Sequence, residues 1–322
     1  MKATAVAPAN IAFIKYWGKK DEALRLPLNA SISMNLSEAY TKTTVEFSKE
    51  FTSDQVEFFD AKSLDPQEIL RVSKHLDRLR EMKGVSLRAK VATKNTFPKS
   101  SGIASSASGF AALTVAGSVA LGLSLSEKEL SILARIGSGS ACRSVPDGFV
   151  EWKTGDTSEE SYAYSLYPSS YWDLCDVLVI VASSEKKISS TKGHEAVQAS
   201  LFFHSRLMSL SERIERVKEG LKKRDLGILG PAIEKEAINM HAVMMTQTPA
   251  LFYWTSATMD SIHAVIRWRE EGLQVYFTID AGPNIHLICE AKDAKVVAQK
   301  AETIHGVEQV IINKPARGAH LV

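Results

Sequence analysis

The chain is poor in the features that would assign it quickly. Only three cysteines occur in 322 residues, Cys142, Cys175 and Cys289. An odd, scattered set argues against a disulfide framework or a cysteine zinc site and fits reduced thiols in a cytosolic protein. No metal site is read from the sequence. Charge of one sign is also lacking: 39 Lys and Arg face 37 Asp and Glu, a net +2. That balance removes a global field for nucleic acid or an anionic membrane, so any attraction for an anion must be local. No run reaches the ~18 apolar residues that span a bilayer, and the opening Met-Lys-Ala-Thr-Ala-Val-Ala-Pro has no signal-peptide core. A soluble cytoplasmic protein with neither membrane nor nucleic-acid partner is expected. No internal repeat or low-complexity tract divides the chain, and no Gly-Lys-Ser/Thr closes a Walker A loop.

What is present is enough apolar residue, 45%, for one large core or two moderate ones, and two lobes are expected with a boundary near residue 180, giving 1–180 and 181–322. Strand-like runs occupy 43–47 and 85–92. Between them Ile69, Val72, Leu76, Leu79 and Met82 recur at helical spacing behind Asp65-Pro66, a helix start, with Arg71, Lys74 and Arg78 interrupting the apolar set. A small-residue helix runs to Leu123. The second half predicts a strand buried on both faces at 177–182, a long amphipathic helix over 194–221 and a helical stretch over 231–245. A helix over 256–271 then leads into a strand at 275–279, and a strand at 285–290, a helix at 293–304 and a strand at 310–312 follow. The class is α+β.

Four clusters carry chemistry. After Pro98, Lys-Ser-Ser-Gly-Ile-Ala-Ser-Ser-Ala-Ser-Gly feeds the small-residue helix; backbone N–H groups there bind anions, and Ser105 and Ser106 add hydroxyls for phosphate or Mg²⁺. The same composition also suits a flexible loop before a packed helix. Residues 137–143, Gly-Ser-Gly-Ser-Ala-Cys-Arg, offer serine donors and the planar fork of Arg143, though an arginine after a turn is equally a structural ion-pair residue. Asp280, ending an apolar strand before Ala-Gly-Pro, suits a base that takes a hydroxyl proton or an ordinary turn aspartate. Lys15, Tyr16, Trp17 and Lys19 form the fourth cluster, in which aromatics could be core and lysines a solvated edge.

The motifs at 10–21 (Asn-Ile-Ala-Phe-Ile-Lys-Tyr-Trp-Gly-Lys-Lys-Asp), 27–33, 97–113, 137–144 and 276–284 together resemble the mevalonate diphosphate decarboxylases of the GHMP kinase superfamily. The resemblance implies a two-lobed α+β fold, an N-terminal lobe like ribosomal protein S5 domain 2 and a ferredoxin-like C-terminal lobe, with the active site in the cleft between them. It implies ATP-dependent decarboxylation of (R)-mevalonate 5-diphosphate to isopentenyl diphosphate, with Mg²⁺ arriving on ATP, in a homodimer. Asp280 matches the catalytic aspartate, Lys15 its neighbouring lysine and Arg143 the arginine that holds the substrate carboxylate. Tyr16, Trp17, Gly18, Lys19, Arg71, Ser138, Gly139, Ser140, Ala141, Cys142, Ser190 and Thr191 match substrate contacts; Asn95, Gly102, Ser105 and Ser106 match ATP contacts. Superfamily kinases usually place their aspartate where this chain has Arg143, which separates a decarboxylase from a kinase that stops at a 3-phosphorylated product. A catalytically silent, ligand-sensing relative is a third class, countered by the intact Lys15, Arg143 and Asp280. Departures from the family pattern at Pro146, Asp147, Lys192 and His194 leave a monophosphate substrate open; Asp147 could pair with Arg143 or cap the following segment.

Overall fold

The computed structural model of the protein describes residues 1–59, 65–97, 105–181, 193–194 and 196–322. Its first strand, β1 (Lys2–Ile14), went unread in the sequence because Pro8 and a run of alanines hide its strand character. Register holds it. It pairs antiparallel with β4 (Ser31–Ser48), and the ladder slips at Pro8/Asn10 and Ala12/Ile14, where bulges absorb the proline and bend the strand. The short β2 (Lys19–Asp21) and β3 (Leu26–Pro27) form a separate hairpin.

Beyond β4, the chain adds β5 (Gln55–Phe58), β6 (Arg88–Asn95), β7 (Phe149–Trp152), β8 (Ala163–Tyr167) and, from its C-terminal end, β13 (His320–Leu321) to one sheet ordered β13-β1-β4-β6-β5, with β7 on the first half of β4 and β8 on β7. The run expected at 43–47 is thus part of a much longer strand. The run expected from 85 begins at Arg88, because Val85 is spent closing the preceding helix through its N–H on Arg80 O at 3.1 Å. Helices α1 (Pro66–Lys83), α2 (Ser105–Ala120) and α3 (Glu127–Gly137) cover this sheet. Val72, Leu76, Leu79, Phe110 and Leu133 pack on Ala5, Val45 and Val91. Asp65 caps α1 as its sequence predicts, accepting from Gln67 N at 2.9 Å. Met82, expected on the buried face, is 48% exposed; His75 and Arg80 are buried instead, with His75 Nε2 2.8 Å from Thr114 Oγ1.

The second sheet runs β10 (Val275–Thr278), β11 (Ile285–Glu290), β9 (Leu174–Val181), β12 (Val307–Asn313), all antiparallel. Every residue of β9 is buried, as its unbroken apolar run predicts, although Ala182 lies outside the described residues. Two packings account for this. Val177, Val179 and Leu287 face α7 (Ser256–Glu270) and α8 (Ala291–Glu302); Leu178, Ile180 and Ile288 face Ile11, Phe13, Ile32 and Met34 of the first sheet, together with helices α5 (Leu210–Lys223) and α6 (Leu226–Thr246). The sheets therefore share a core.

The helix predicted over 194–221 is broken. A 3₁₀ turn at Val197–Ala199 and α4 (Phe203–Met208) precede α5. Serine hydroxyls explain the breaks: Ser209 Oγ donates back to Ser205 O at 2.8 Å, and Ser200 Oγ accepts from Phe202 N at 3.2 Å, so side chains compete with the helical ladder. The stretch predicted over 231–245 sits inside α6, which starts earlier because Asp225 caps it, accepting from Ile228 N at 3.2 Å, and which tolerates Pro231 near its first turns. Among the described residues no helix is long and apolar enough to cross a membrane.

α6 presses directly on β10 at Gly230, where a Cβ would overlap the ring of Tyr276. Gly230→Ala gains about 1 kcal/mol of helix propensity but must displace a packed ring, which costs about 1–3 kcal/mol. Net destabilisation is expected as a lowered urea midpoint at unchanged m-value; an unchanged or raised midpoint refutes the tight α6–β10 contact.

Candidate active site

Lys15 is the first residue beyond β1. Its side chain is 1% exposed, and its ammonium donates to Ala12 O and to Asp280 Oδ1, both at 2.7 Å. Asp280 stands two residues beyond β10, with 30% of its side chain open to solvent. One face of the carboxylate is held while the other stays available to a ligand. Burial, opposed by Asp280, lowers the Lys15 pKa below its ordinary value. For Asp280, burial favours the neutral acid, yet Lys15, His286 and Arg143 together outweigh it and hold the carboxyl below the usual carboxylate value. His241 donates from Nε2 to Asp280 O at 3.2 Å. Burial first, then Lys15, pushes its pKa down to about 3, so it stays neutral and does not compete with Lys15.

The backbone of Lys15 is anchored from α6. Glu236, fully buried, accepts from Lys15 N at 3.2 Å, from Arg213 Nε at 2.7 Å and from Arg206. Asn29 Nδ2 donates to Lys15 O at 2.9 Å. Neither Glu236 nor the arginines were singled out in the sequence. The available signal was a glutamate among Leu229, Ile233, Ala237 and Met240 on the apolar face of a helix.

Arg143 lies in a 3₁₀ helix, Gly139–Ser144, that follows α3. Its buried guanidinium donates to Asn10 Oδ1 at 3.2 and 3.1 Å and to Ser31 Oγ at 2.6 Å. Asn10 in turn donates to Ser144 Oγ at 2.9 Å. Among the described residues no carboxylate lies within ion-pair distance of Arg143. Asp147 instead accepts from Ser169 N at 3.2 Å. Arg143 is thus oriented by neutral partners, and its charge remains for an anion. Asn10 and Ser31 are the residues the sequence reading missed here.

The other expected residues gather around these groups. Gly139 is required by a close approach, since a Cβ would meet the Tyr16 ring at 2.7 Å. Tyr16 also packs on Trp152 and His194, with ring centroids at 4.6 and 4.5 Å, and Trp17 lies 4.3 Å from His194. Gly18 N donates to His194 Nδ1 at 2.9 Å, which leaves the imidazole proton on Nε2. Lys19 pairs with Glu22 at 2.5 Å. Ala141 and Cys142 are fully buried; the Cys142 thiol donates to Gly139 O at 3.0 Å and burial pushes its pKa up to about 12. Their backbone alone can meet a ligand.

A cleft is lined by Asn95, Ser105, Ser106 and Arg71 together with Phe58 and Phe110. Ser106 Oγ lies 3.0 Å from Ser138 Oγ, which joins the cleft to the 137–143 turn. Thr41 Oγ1 donates to Asn95 at 2.7 Å and lies 2.6 Å from Ser108, fixing the cleft floor. Arg71, exposed, donates to Gly137 O at 3.3 Å. Gly102, Ser190 and Thr191 fall outside the described residues, as does Lys192. No group of three or more His, Cys, Asp or Glu that could hold a metal occurs among the described residues; an ion carried on a nucleotide's phosphates would meet serine and asparagine oxygens at this cleft.

Comparison with known proteins bears on this arrangement. Residues 7–163 match the model of the diphosphomevalonate decarboxylase-like N-terminal domain, and residues 177–317 match that of the mevalonate 5-diphosphate decarboxylase C-terminal domain. Diphosphomevalonate decarboxylase of Aspergillus fumigatus is 34% identical over 95% of this chain and 81% of its own. The crystal structure of mevalonate diphosphate decarboxylase from Staphylococcus aureus superposes with a TM-score of 0.95 at 37% identity, covering 100% of this chain and 98% of that one. The structure of MDDEF in complex with MVAPP, AMPPCP and magnesium gives a TM-score of 0.93 at 35% identity, covering 100% and 99%. A Lys–Asp pair facing a buried, uncompensated arginine thus sits in a fold matched along nearly its whole length, and the chain belongs to the diphosphomevalonate decarboxylase family.

Proposed function

We propose that the protein converts (R)-mevalonate 5-diphosphate and ATP into isopentenyl diphosphate, ADP, phosphate and CO₂, the decarboxylation step that feeds isoprenoid synthesis. The observation that carries this reading is the combination of Asp280, held ionised by Lys15 at 2.7 Å, with Arg143, a buried cation whose partners are all neutral. An ionised acceptor and an unneutralised cation are what a hydroxy acid needs. The relative solved with MVAPP, AMPPCP and magnesium supports ATP with Mg²⁺ as cosubstrate.

Arg143 holds the carboxylate and Asp280 accepts the hydrogen bond of the 3-hydroxyl. That oxygen attacks the γ-phosphorus of ATP and the bond to the ADP oxygen breaks. A carboxylate held below its usual pKa is a weak base, so the proton passes to Asp280 late, once phosphoryl transfer has made the hydroxyl acidic. Lys15 steadies the charge on Asp280 and orients it. The C3–O bond then breaks with its electron pair leaving on phosphate, and the C–COO⁻ pair becomes the new double bond as CO₂ departs. Ser105, Ser106 and Asn95 hold ATP phosphates, and Tyr16, Trp17, Gly18, Lys19, Arg71 and residues 138–142 line the substrate. Gly102, Ser190 and Thr191, which lie outside the described residues, are assigned to ATP and substrate by the family resemblance alone.

The lobes divide near residue 180; β9 (Leu174–Val181), the first strand of the second sheet, supports placing the division a few residues earlier, before Leu174. Three buried thiols without a disulfide support a reducing cytoplasm, and the family resemblance supports a homodimer.

Purified protein with Mg-ATP is expected to release ADP and CO₂ in equal amounts from mevalonate 5-diphosphate and not from the 5-phosphate or mevalonate. Equal release from the monophosphate, or ADP without CO₂, overturns the reading. Asp280→Asn should lower kcat about 10³-fold with KM little changed; near-normal turnover removes Asp280 from the chemistry. Arg143→Ala should raise KM and lower kcat together, and unchanged kinetics make it structural. For pH, a depressed Asp280 pKa means the pair's contribution is complete above the ordinary carboxylate pKa and is lost as pH falls through the lower folded value. Lys15→Met removes the cause, so the acid limb of kcat/KM should move to higher pH; an unmoved limb shows that Lys15 does not set Asp280.

A further inference from the structure

The hairpin between β2 and β3 carries a residue that no motif singled out. Its turn is tightly built: Asp21 Oδ1 accepts from Leu24 N at 2.7 Å, and Leu24 O accepts at 3.0 Å from Arg135, a fully buried arginine also fixed by Ser158. The next residue, Arg25, takes φ +52, a left-handed conformation uncommon for a residue with a Cβ. This turn delivers Arg25 to the C-terminal end of α3, where its Nε donates to Ile136 O at 3.0 Å while Arg71 donates to the next carbonyl, Gly137 O, at 3.3 Å. Two guanidinium groups therefore lie side by side at the start of the 137–143 turn.

No described residue neutralises them. Arg25 Nη1 and Nη2 and Arg71 Nε and Nη1 have no hydrogen-bond partner among the described residues. No described carboxylate lies within ion-pair distance of either; Glu68, one turn before Arg71, acts on it only from farther away. Arg25 also repels Arg71 and Arg78. Paired forks with free N–H groups match the non-bridging oxygens of a phosphate.

We propose that Arg25, together with Arg71, holds the terminal phosphate of the diphosphate substrate, and that Arg25 sets the preference for a diphosphate over a monophosphate. This rests on the substrate reading above. With the carboxylate on Arg143, a substrate laid along residues 143 to 137 brings its far end to the Ile136 and Gly137 carbonyls, where both guanidinium groups wait. A monophosphate ends one phosphate short.

The test is Arg25→Asn, because Asn accepts left-handed φ and keeps the turn, beside Arg25→Lys, which keeps charge without the fork. In Arg25→Asn the KM for mevalonate 5-diphosphate should rise about tenfold or more, the loss of one charge-assisted contact. The KM for ATP and the inhibition constant of mevalonate 5-phosphate should stay within about twofold by the same scale. Arg25→Lys should recover part of the loss. An unchanged diphosphate KM, or a rise in the ATP KM instead, overturns the proposal. Calorimetric titration with inorganic pyrophosphate needs no turnover: weaker binding by Arg25→Asn than by the unaltered protein supports the subsite, and equal binding overturns it. If the unaltered protein fails to turn over the diphosphate, the substrate reading falls while the pyrophosphate titration still decides whether Arg25 forms an anion site.

Discussion

The structure turns on one ion pair. Lys15 Nζ and Asp280 Oδ1 meet at 2.7 Å across 265 residues of sequence, joining the end of a strand in one sheet to the end of a strand in the other. Burying the ammonium at 1% exposure is costly, and the cost shows in its lowered pKa; the carboxylate offsets it, since breaking a buried pair by removing one partner costs about 3–5 kcal/mol. The pair can be this short only because its surroundings leave Lys15 no choice. Glu236 and Asn29 fix its backbone on both sides, while Ala12 O takes one of its ammonium protons. Glu236 in turn is held by Arg206 and Arg213, so a second buried cluster exists to place the first.

Three kinds of buried cation coexist within this region, and the contrast explains the site. Lys15 is neutralised by Asp280, and the two arginines on Glu236 share one carboxylate. Arg143 has no carboxylate at all. Its neutral shell of Asn10 and Ser31 gives direction without cancelling charge, which leaves a positive potential open to an anion. Burial alone lowers its pKa, yet a guanidinium stays charged at any physiological pH, so the arrangement persists as a standing demand for an anion.

How much of this could be read from the chain depended on distance along it. Asp280, Lys15 and Arg143 stood out because each sits in a short run with unusual neighbours, and the buried β9 was legible from continuous apolar residues. The helix over 194–221 was misread because its periodicity is real, while the serine hydroxyls at 200 and 209 that interrupt it act through backbone geometry. β1 was hidden by Pro8, whose cost is absorbed by a bulge that only the partner strand reveals. Glu236 and Arg25 were illegible for a similar reason: one matters through the backbone it holds 221 residues away, the other through a left-handed turn that Arg135 fixes from below.

The neutral shell of Arg143 also resolves a difficulty in the proposed chemistry. A carboxylate gripped by a buried cation is stabilised in the ground state, which by itself slows its conversion to neutral CO₂. If the ligand were the only partner of Arg143, losing it would leave a bare cation in a poorly solvated place. Here Asn10 Oδ1 at 3.1 and 3.2 Å and Ser31 Oγ at 2.6 Å remain after the carboxylate is gone, so each guanidinium nitrogen keeps a hydrogen bond throughout. In the role proposed for it, Arg143 orients the carboxylate without depending on it. The driving force for the bond to break then lies at C3, in the departing phosphate, which is why an enzyme built this way must phosphorylate before it decarboxylates.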